Sequence, residues 1–188
     1  EILRCLVGSE MCIRDRMSKT ELNAFVDEPG WKAALEHIQE LSSRVFAATA
    51  DYIAAHEDFD FMQTGKTLSI NLSLSNDAEV QKLNAEFRHL DKPTNVLSFA
   101  NIDDECFDDM VAESDVIELG DIIIALETMQ KEAALKNISL HDHYCHLLIH
   151  GILHLMGFDH QDDAEAEYME NHEIRILALL NVPNPYQE

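Results

Sequence analysis

The sequence predicts a single α+β domain, with a small mixed central β-sheet surrounded by about five helices. Strand-like segments alternate with helical ones, the 188 residues are the length of one ordinary domain, and 46% of them are hydrophobic. The pattern from residue 17 to residue 188 contains no repeat, linker or second domain. We therefore expect one domain over 17–188.

Residues 1–16 differ from the rest of the chain. They have no hydrophobic period, hold two of the four cysteines and precede Met17, a natural start. Arg4 and Cys5 interrupt their apolar residues, so they lack the run of at least about seven that a secretory signal needs. We expect a non-native leader or read-through here and, without an export signal, a cytoplasmic protein.

The first half of the domain combines one long helix, a strand–helix unit and a second strand. Helical periodicity covers 31–56, and alternating apolar residues predict a strand over 67–73. Asn76 is a favourable N-cap for a helix that ends near His89. After a turn, a further strand is expected over 95–100.

The second half contains the most strongly apolar helix of the chain. The predicted elements are an exposed acidic loop over 102–115, a buried strand over 119–125, a helix to about residue 136, an apolar helix over 141–156 and a last helix over 162–180. Gly157 is suited to end the apolar helix, and Asp162 to cap the last one.

The composition disfavours a membrane-spanning protein and a disulfide-rich one. No apolar run approaches the ~20 residues of a membrane helix. Beyond residue 16 the cysteines are Cys106 and Cys145, which form no CxxC pair, and the apolar surroundings of Cys145 predict a buried thiol. The net charge of −23 favours solubility and opposes nonspecific binding to nucleic acid.

The most informative segment is HGILHLMGFDH, which carries three histidines. His150 and His154 are four residues apart, so a helix places them on one face, within reach of one ion. Gly157 lets the chain leave the helix and turn back, which brings His160 to the third position. Three protein ligands leave the fourth position of zinc for water, as in catalytic sites. We predict one transition-metal ion at this helix end, zinc in the first place, where it activates water for hydrolysis; three imidazoles also suit nickel, copper or cobalt.

Neighbouring residues leave other assignments open. His146 lies one turn before His150 and can pair with it, but that pairing leaves the glycine and the third histidine without a role. His146 is otherwise a neighbour in the site or a hydrogen-bond partner behind it, and His143 is expected to face solvent. Asp159 either orients a ligand imidazole or shapes the turn.

The spacing HxxxHxxGxxH is also that of metzincin proteases, in which a glutamate follows the first histidine and acts as general base. Gly151 occupies that position here, and glycine cannot abstract a proton. A metal still lowers the pKa of its water to about 7, but another group must position the substrate or complete the proton transfer.

Several segments, in order along the chain, resemble the YbeY family. HGILHLMGFDH is similar to the family signature HGxLHLxGYDH, with Phe158 where tyrosine is usual. The run LNAEFRHLDKPTNVLSF resembles LNxxYRxxDKPTDVLSF, with Phe87 for tyrosine and Asn95 for aspartate. The remaining matches are LGDI at 119–122 and the acidic stretch at 162–170.

The resemblance, which extends over roughly residues 68–185, implies a zinc-dependent endoribonuclease specific for single-stranded RNA. It also implies that the metal lies in a cleft, and that the protein acts in maturation of the 3′ end of 16S rRNA and in ribosome quality control. Position by position, His150, His154 and His160 match the metal ligands, and Arg88 matches the functional arginine.

A physical role for Arg88 fits this resemblance. A guanidinium can hold two oxygens of a phosphodiester as charge develops on them. Without the resemblance, Arg88 would be an exposed arginine that interacts with the dipole of its helix. We further hypothesise that His146 relays a proton, because imidazole transfers protons near neutral pH.

The charge of the chain conflicts with an RNA substrate, because 13 basic residues face 36 acidic ones. Either the basic residues gather at the cleft, or recognition depends on a partner such as a small-subunit ribosomal protein or a ribosome-assembly GTPase. Two rival functions stay open. One is a metal-dependent hydrolase of a peptide or small ester, and the other is a non-catalytic assembly factor with a structural zinc.

Overall fold

The computed structural model describes residues 18–187, and the predicted leader at 1–16 lies outside them. Within the described residues, four strands and seven α-helices form one domain. The α+β class is the predicted one, and the helices are two more than the five expected. The strands are β1 (Lys19–Val26), β2 (Thr67–Ser75), β3 (Val96–Ala100) and β4 (Val116–Ala125). The helices are α1 (Gly30–Ala34), α2 (Ile38–His56), α3 (Asp77–Arg88), α4 (Phe107–Glu113), α5 (Leu126–Lys136), α6 (Leu140–Leu155) and α7 (Asp163–Leu179). No helix of residues 18–187 has the length and apolar character needed to cross a membrane.

The sheet is mixed, with the strand order β1-β2-β4-β3. The first three strands of this order run parallel, and β3 pairs antiparallel with β4 at the edge. The β2–β4 register shifts between Ser69 and Ile70, which pair with Glu118 and Gly120. Gly120 has a φ of +136°, and a Cβ there would lie 2.0 Å from the carbonyl oxygen of Phe99. Only glycine fits this bulge, because the neighbouring backbone fills the space of a side chain.

The main core lies between one face of the sheet and helices α2, α6 and α7. Helix α6 is buried along most of its length and packs against both β3 and β4. Helix α3 covers part of the opposite face, where Val80 packs with Leu97 and Ala125. The histidine helix is therefore fixed on the sheet beside its β3 edge.

The capping residues behave as the sequence predicts. The Asn76 side chain accepts a hydrogen bond from the Glu79 backbone N–H at 3.0 Å, and α3 ends at Arg88. The Asp162 carboxylate accepts from two backbone N–H groups in the first turn of α7. Gly157 leaves α6 with a φ of +93°, which permits the predicted turn.

The prediction of one continuous helix over 31–56 is wrong. Leu35 is extended and His37 is left-handed, with a φ of 53°, so α1 and α2 are separate. The break lets Trp31 enter the core, where its indole N–H donates to the Ser75 carbonyl at 2.9 Å. Neither glycine nor proline occurs at 35–37, so tertiary packing overrides helical periodicity here.

Two further differences concern polar segments. The predicted exposed loop over 102–115 contains α4, which Phe107 anchors by burying its ring 5.9 Å from that of Phe61. Strand β1 has no counterpart among the predictions. Its side chains alternate only between exposed and half-buried, and its pairing partner β2 lies about 48 positions away in the register Asn23↔Asn71.

Candidate metal centre

A cleft of about 360 Å³ lies beside the C-terminal end of α6. Its walls come from α6, the loop after it, β3 and the last residue of α3. The lining residues are Arg88, Thr94, Asn95, Val96, Ser98, Ala100, Asp103, His150, His154, Gly157, Phe158, Asp159 and His160. The predicted metal ligands and the predicted phosphate-binding arginine therefore line the same cleft.

The three histidines converge because of the helix and its exit. His150 and His154 lie one turn apart on α6, and their ring centroids are 4.6 Å apart. After Gly157 the chain turns back and places the His160 ring 5.5 Å from that of His150 and 5.0 Å from that of His154. One nitrogen from each ring lies within 4.8 Å of the others, which makes this group a candidate metal site.

Hydrogen bonds fix which nitrogen of two of these rings faces the cleft. His150 Nδ1–H donates to the Glu173 carboxylate at 2.8 Å, and His154 Nδ1–H donates to the Phe158 carbonyl at 3.0 Å. Because both acceptors are oxygens, each Nδ1 carries a proton, and in the neutral form of each ring Nε2 keeps a free lone pair. Such outer hydrogen bonds are typical of histidines that bind metals.

The two free lone pairs face each other. His150 Nε2 and His154 Nε2 are 3.1 Å apart, close to the roughly 3.3 Å expected for two nitrogens bound tetrahedrally to one zinc ion. Burial, together with the neighbouring His150 and His160, lowers the pKa of His154 to about 4, so its ring is neutral near pH 7. When both rings are protonated only at Nδ1, the two Nε2 atoms repel each other unless a cation lies between them, so this donor set fits a transition-metal ion.

Gly151, which occupies the position of the metzincin general base, lies close against the sheet. A Cβ at Gly151 would lie 3.1 Å and 3.2 Å from two carbon atoms of Ile122 and 3.2 Å from Ser98 Oγ. These distances are shorter than ordinary van der Waals contact. A side chain at this position would require Ile122 and Ser98 to shift by a few tenths of an ångström, so glycine permits the close approach of α6 to the sheet.

Arg88 is exposed at the last position of α3, and its side chain lines the cleft. Among residues 18–187, no acidic group lies within 4.0 Å of its guanidinium. The position is compatible with both expectations for this residue, the helix dipole and a phosphate. Its unpaired guanidinium is available to an anion in the cleft.

His146 lies behind the cleft and is not among the residues that line it. Its Nε2 is 3.0 Å from a Glu173 carboxylate oxygen and 3.1 Å from the Tyr186 hydroxyl, and its side chain is 12% exposed. Of the two positions that the sequence left open, these contacts match the hydrogen-bond partner. The proton relay by His146 stays a prediction.

Two other polar residues of the segment are now placed. His143, expected to face solvent, is 1% exposed and contacts Glu132 at 2.8 Å across α5 and α6, so that prediction is wrong. The Asp159 carboxylate accepts from the His160 backbone N–H and from the Gln161 side chain, which together lower its pKa. Its contacts match the role of shaping the turn.

Glu173 is the residue of the site that the sequence analysis missed. It is 1% exposed, and burial raises the pKa of its carboxyl, but hydrogen bonds from His146 and His150 outweigh burial and bring that pKa to about 2. It lies four residues from both Met169 and Leu177, which are buried on the same face of α7. An acidic residue at such a core-facing position is the signal that could have revealed it.

The fold and the site together define a single-domain α+β protein with a three-histidine candidate metal centre. Residues 28–181 match the family model described as Endoribonuclease YbeY. The chain therefore belongs to the YbeY family, which confirms the resemblance drawn from its motifs.

Two relatives of known sequence support this assignment over most of the chain. Endoribonuclease YbeY of Francisella philomiragia subsp. philomiragia is 42% identical over 150 residues, which cover 80% of this chain and 87% of that protein. Endoribonuclease YbeY of Rhizobium johnstonii is 41% identical over 171 residues, or 91% of this chain and 95% of that protein. The solution structure of TM1509 from Thermotoga maritima covers 89% of this chain and 97% of its own, with a TM-score of 0.48 and 19% identity.

Proposed function

We propose that this chain is a zinc-dependent endoribonuclease that cleaves single-stranded RNA in the cytoplasm. Its role would be in maturation of the 3′ end of 16S rRNA and in ribosome quality control. The observation that carries the proposal is the shared cleft of Arg88 and the histidines at 150, 154 and 160. The names of the similar proteins, Endoribonuclease YbeY, support the choice of RNA as substrate.

In this proposal His150, His154 and His160 hold the ion, through Nε2 in the first two. When bound, zinc supplies a Lewis acid that polarises an attacking or phosphate oxygen. Arg88 holds the phosphodiester with its two-pronged guanidinium and stabilises the charge that develops on the non-bridging oxygens. His146 is the candidate proton relay, although its Nε2 contacts Glu173 and not the cleft.

The charge of the cleft makes phosphate binding depend on the metal. In the part of the chain that the structure describes, the charged side chains that line it are Arg88, Asp103 and Asp159. Acidic groups therefore outnumber basic ones, and a divalent cation reverses the sign. Arg88 is the one Lys or Arg side chain that residues 18–187 bring to this cleft, which favours recognition through a partner, such as a small-subunit ribosomal protein or a ribosome-assembly GTPase.

The shape of the cleft suits a single strand. Besides its charged groups it presents the polar side chains of Thr94, Asn95 and Ser98 along the β3 edge. An unpaired strand can bend its backbone toward such a cleft and turn its bases outward, whereas base pairing holds the backbone of a duplex in a stiff helix.

Nuclease assays on Arg88→Ala, loaded with zinc, test the role of the cleft. We expect cleavage of single-stranded RNA to fall by about 10²- to 10³-fold, the loss typical of removing one group that stabilises transition-state charge. Arg88→Lys should recover only part of the activity, because an ammonium cannot bind two oxygens in parallel. Arg175→Ala, an exposed arginine on α7, is the matched control. Full activity of Arg88→Ala would remove Arg88 from the mechanism.

A further inference from the structure

A buried carboxylate on α7 joins the candidate metal site to the segment that follows the helix. Glu173 is 1% exposed and has three hydrogen-bonding partners: His150, His146 and Tyr186. Burying an ionised carboxylate costs free energy unless its oxygens are satisfied. Both carboxylate oxygens of Glu173 have hydrogen-bonding partners, and the two oxygens have different partners.

One oxygen faces the metal ligands and the other faces away from them. Glu173 Oε1 accepts from His150 Nδ1–H at 2.8 Å, and this bond leaves His150 Nε2 directed at His154 Nε2. Glu173 Oε2 contacts His146 Nε2 at 3.0 Å and accepts from the Tyr186 hydroxyl. The second set of contacts holds the carboxylate in the orientation that the first requires.

The segment after α7 places the Tyr186 hydroxyl next to the Glu173 carboxylate. The Val182 backbone N–H donates to the Leu177 carbonyl at 2.9 Å, and the Val182 side chain is buried. The Asn184 side chain then accepts from the Tyr186 backbone N–H at 2.9 Å. The Tyr186 ring packs edge-on against His146, with centroids 5.5 Å apart. The segment is thereby tied to α6 at the turn that precedes the first metal ligand.

We propose that Glu173 is a positioning residue for His150, and that Tyr186 and His146 hold Glu173 in place. This inference rests on the proposed metal site. A carboxylate that accepts the outer N–H of a ligand histidine fixes its tautomer, orients its ring and makes it a stronger donor to the metal. The segment 182–186 thus tunes metal affinity without contacting the metal.

The alternative is that Glu173 only joins α6 and α7. The two roles differ in what they change. A purely structural bond contributes to the stability of the metal-free protein and leaves zinc affinity the same in molecules that are folded. A positioning bond changes the zinc dissociation constant even when the fold is intact.

The test is zinc affinity, measured by competition with a chromophoric chelator, alongside urea unfolding of the metal-free protein. For Glu173→Gln we expect about 10- to 100-fold weaker zinc binding. For Tyr186→Phe, which removes one hydroxyl from a 40% exposed side chain, we expect about fivefold weaker binding, the equivalent of one hydrogen bond. Two controls on α7 make the same kinds of change at residues that do not line the cleft: Tyr168→Phe removes a hydroxyl bonded to Glu57, and Glu167→Gln removes an exposed charge.

The outcomes separate this inference from the proposed function. If wild type binds zinc and both site variants bind it as tightly as the controls do, the positioning role is overturned while the metal site stands. If Glu173→Gln does not fold, Tyr186→Phe alone decides. If the wild-type protein binds no zinc, the metal site and this inference both fail. RNA cleavage by zinc-loaded wild type, assayed separately, tests the proposed function.

Discussion

Replacing Gly120 by alanine tests the bulge that fixes β4 beside the cleft-lining edge strand. A Cβ at this position would lie 2.0 Å from the Phe99 carbonyl oxygen and 3.1 Å from Leu155 Cδ2. A carbon–oxygen contact needs about 3.3 Å or more, so β3 must move away by more than ~1 Å. The φ of +136° adds strain of about 1–3 kcal/mol for a residue with a side chain. The forced displacement adds about 3 kcal/mol, so we expect the free energy of unfolding to fall by about 4–6 kcal/mol in total.

Urea unfolding, followed through the fluorescence of Trp31, measures this loss. Trp31 is the only tryptophan and is fully buried, so its emission reports the core. Gly65→Ala is a matched control, because Gly65 also has a positive φ, of +69°, but no atom lies within 4 Å of its added Cβ. In Gly65→Ala the free energy of unfolding should fall by only about 1–2 kcal/mol. A difference between the two variants of less than about 1 kcal/mol would refute the clash on which this reasoning depends.

Two further predictions concern thiol reactivity and pH. Burial raises the pKa of the Cys145 thiol to about 12, so this thiol stays protonated near pH 8. It should react with iodoacetamide far more slowly than the thiol of the exposed Cys106. Equal rates for the two cysteines, measured by peptide mass spectrometry, would contradict the burial of Cys145. Burial also lowers the pKa of His143, His154 and His172 in the folded protein. Below about pH 6.5 these histidines are therefore protonated in the unfolded chain but still neutral in the folded one, until the pH falls to their lowered pKa values. The metal-free protein should therefore be less stable at about pH 5 than at about pH 7.5. Equal midpoints of urea unfolding at these two pH values would contradict the burial of the three histidines.

The histidine segment could be predicted because its geometry is local. Four-residue spacing on a helix and one glycine at its exit bring His150, His154 and His160 together with little help from the rest of the chain. Arg88 could be placed in the same cleft only through the family resemblance, since 62 residues separate it from His150. No local pattern reports a contact of that kind.

The parts that could not be predicted depend on tertiary contacts. Helix α1 separates from α2 because Trp31 reaches Ser75, and α4 forms where Phe107 finds Phe61. The spacing of Glu173 from Met169 and Leu177 marks a core-facing position on α7, but its hydrogen bonds to His146 and His150 depend on the packing of α7 against α6. Such contacts exist only once the sheet and helices are packed, so a pattern within one segment does not reveal them.

The central claim is that one metal ion held by the three histidines supports cleavage of RNA. Its most direct test is to measure zinc content and cleavage of single-stranded RNA together, in nuclease-free wild type and in folded His154→Ala. We predict about one zinc per chain and cleavage in wild type, with both lost in the variant, because two imidazoles bind zinc weakly. Cleavage by the metal-free variant at the wild-type rate would contradict the account. Zinc without cleavage would support a different substrate or a non-catalytic role in ribosome assembly.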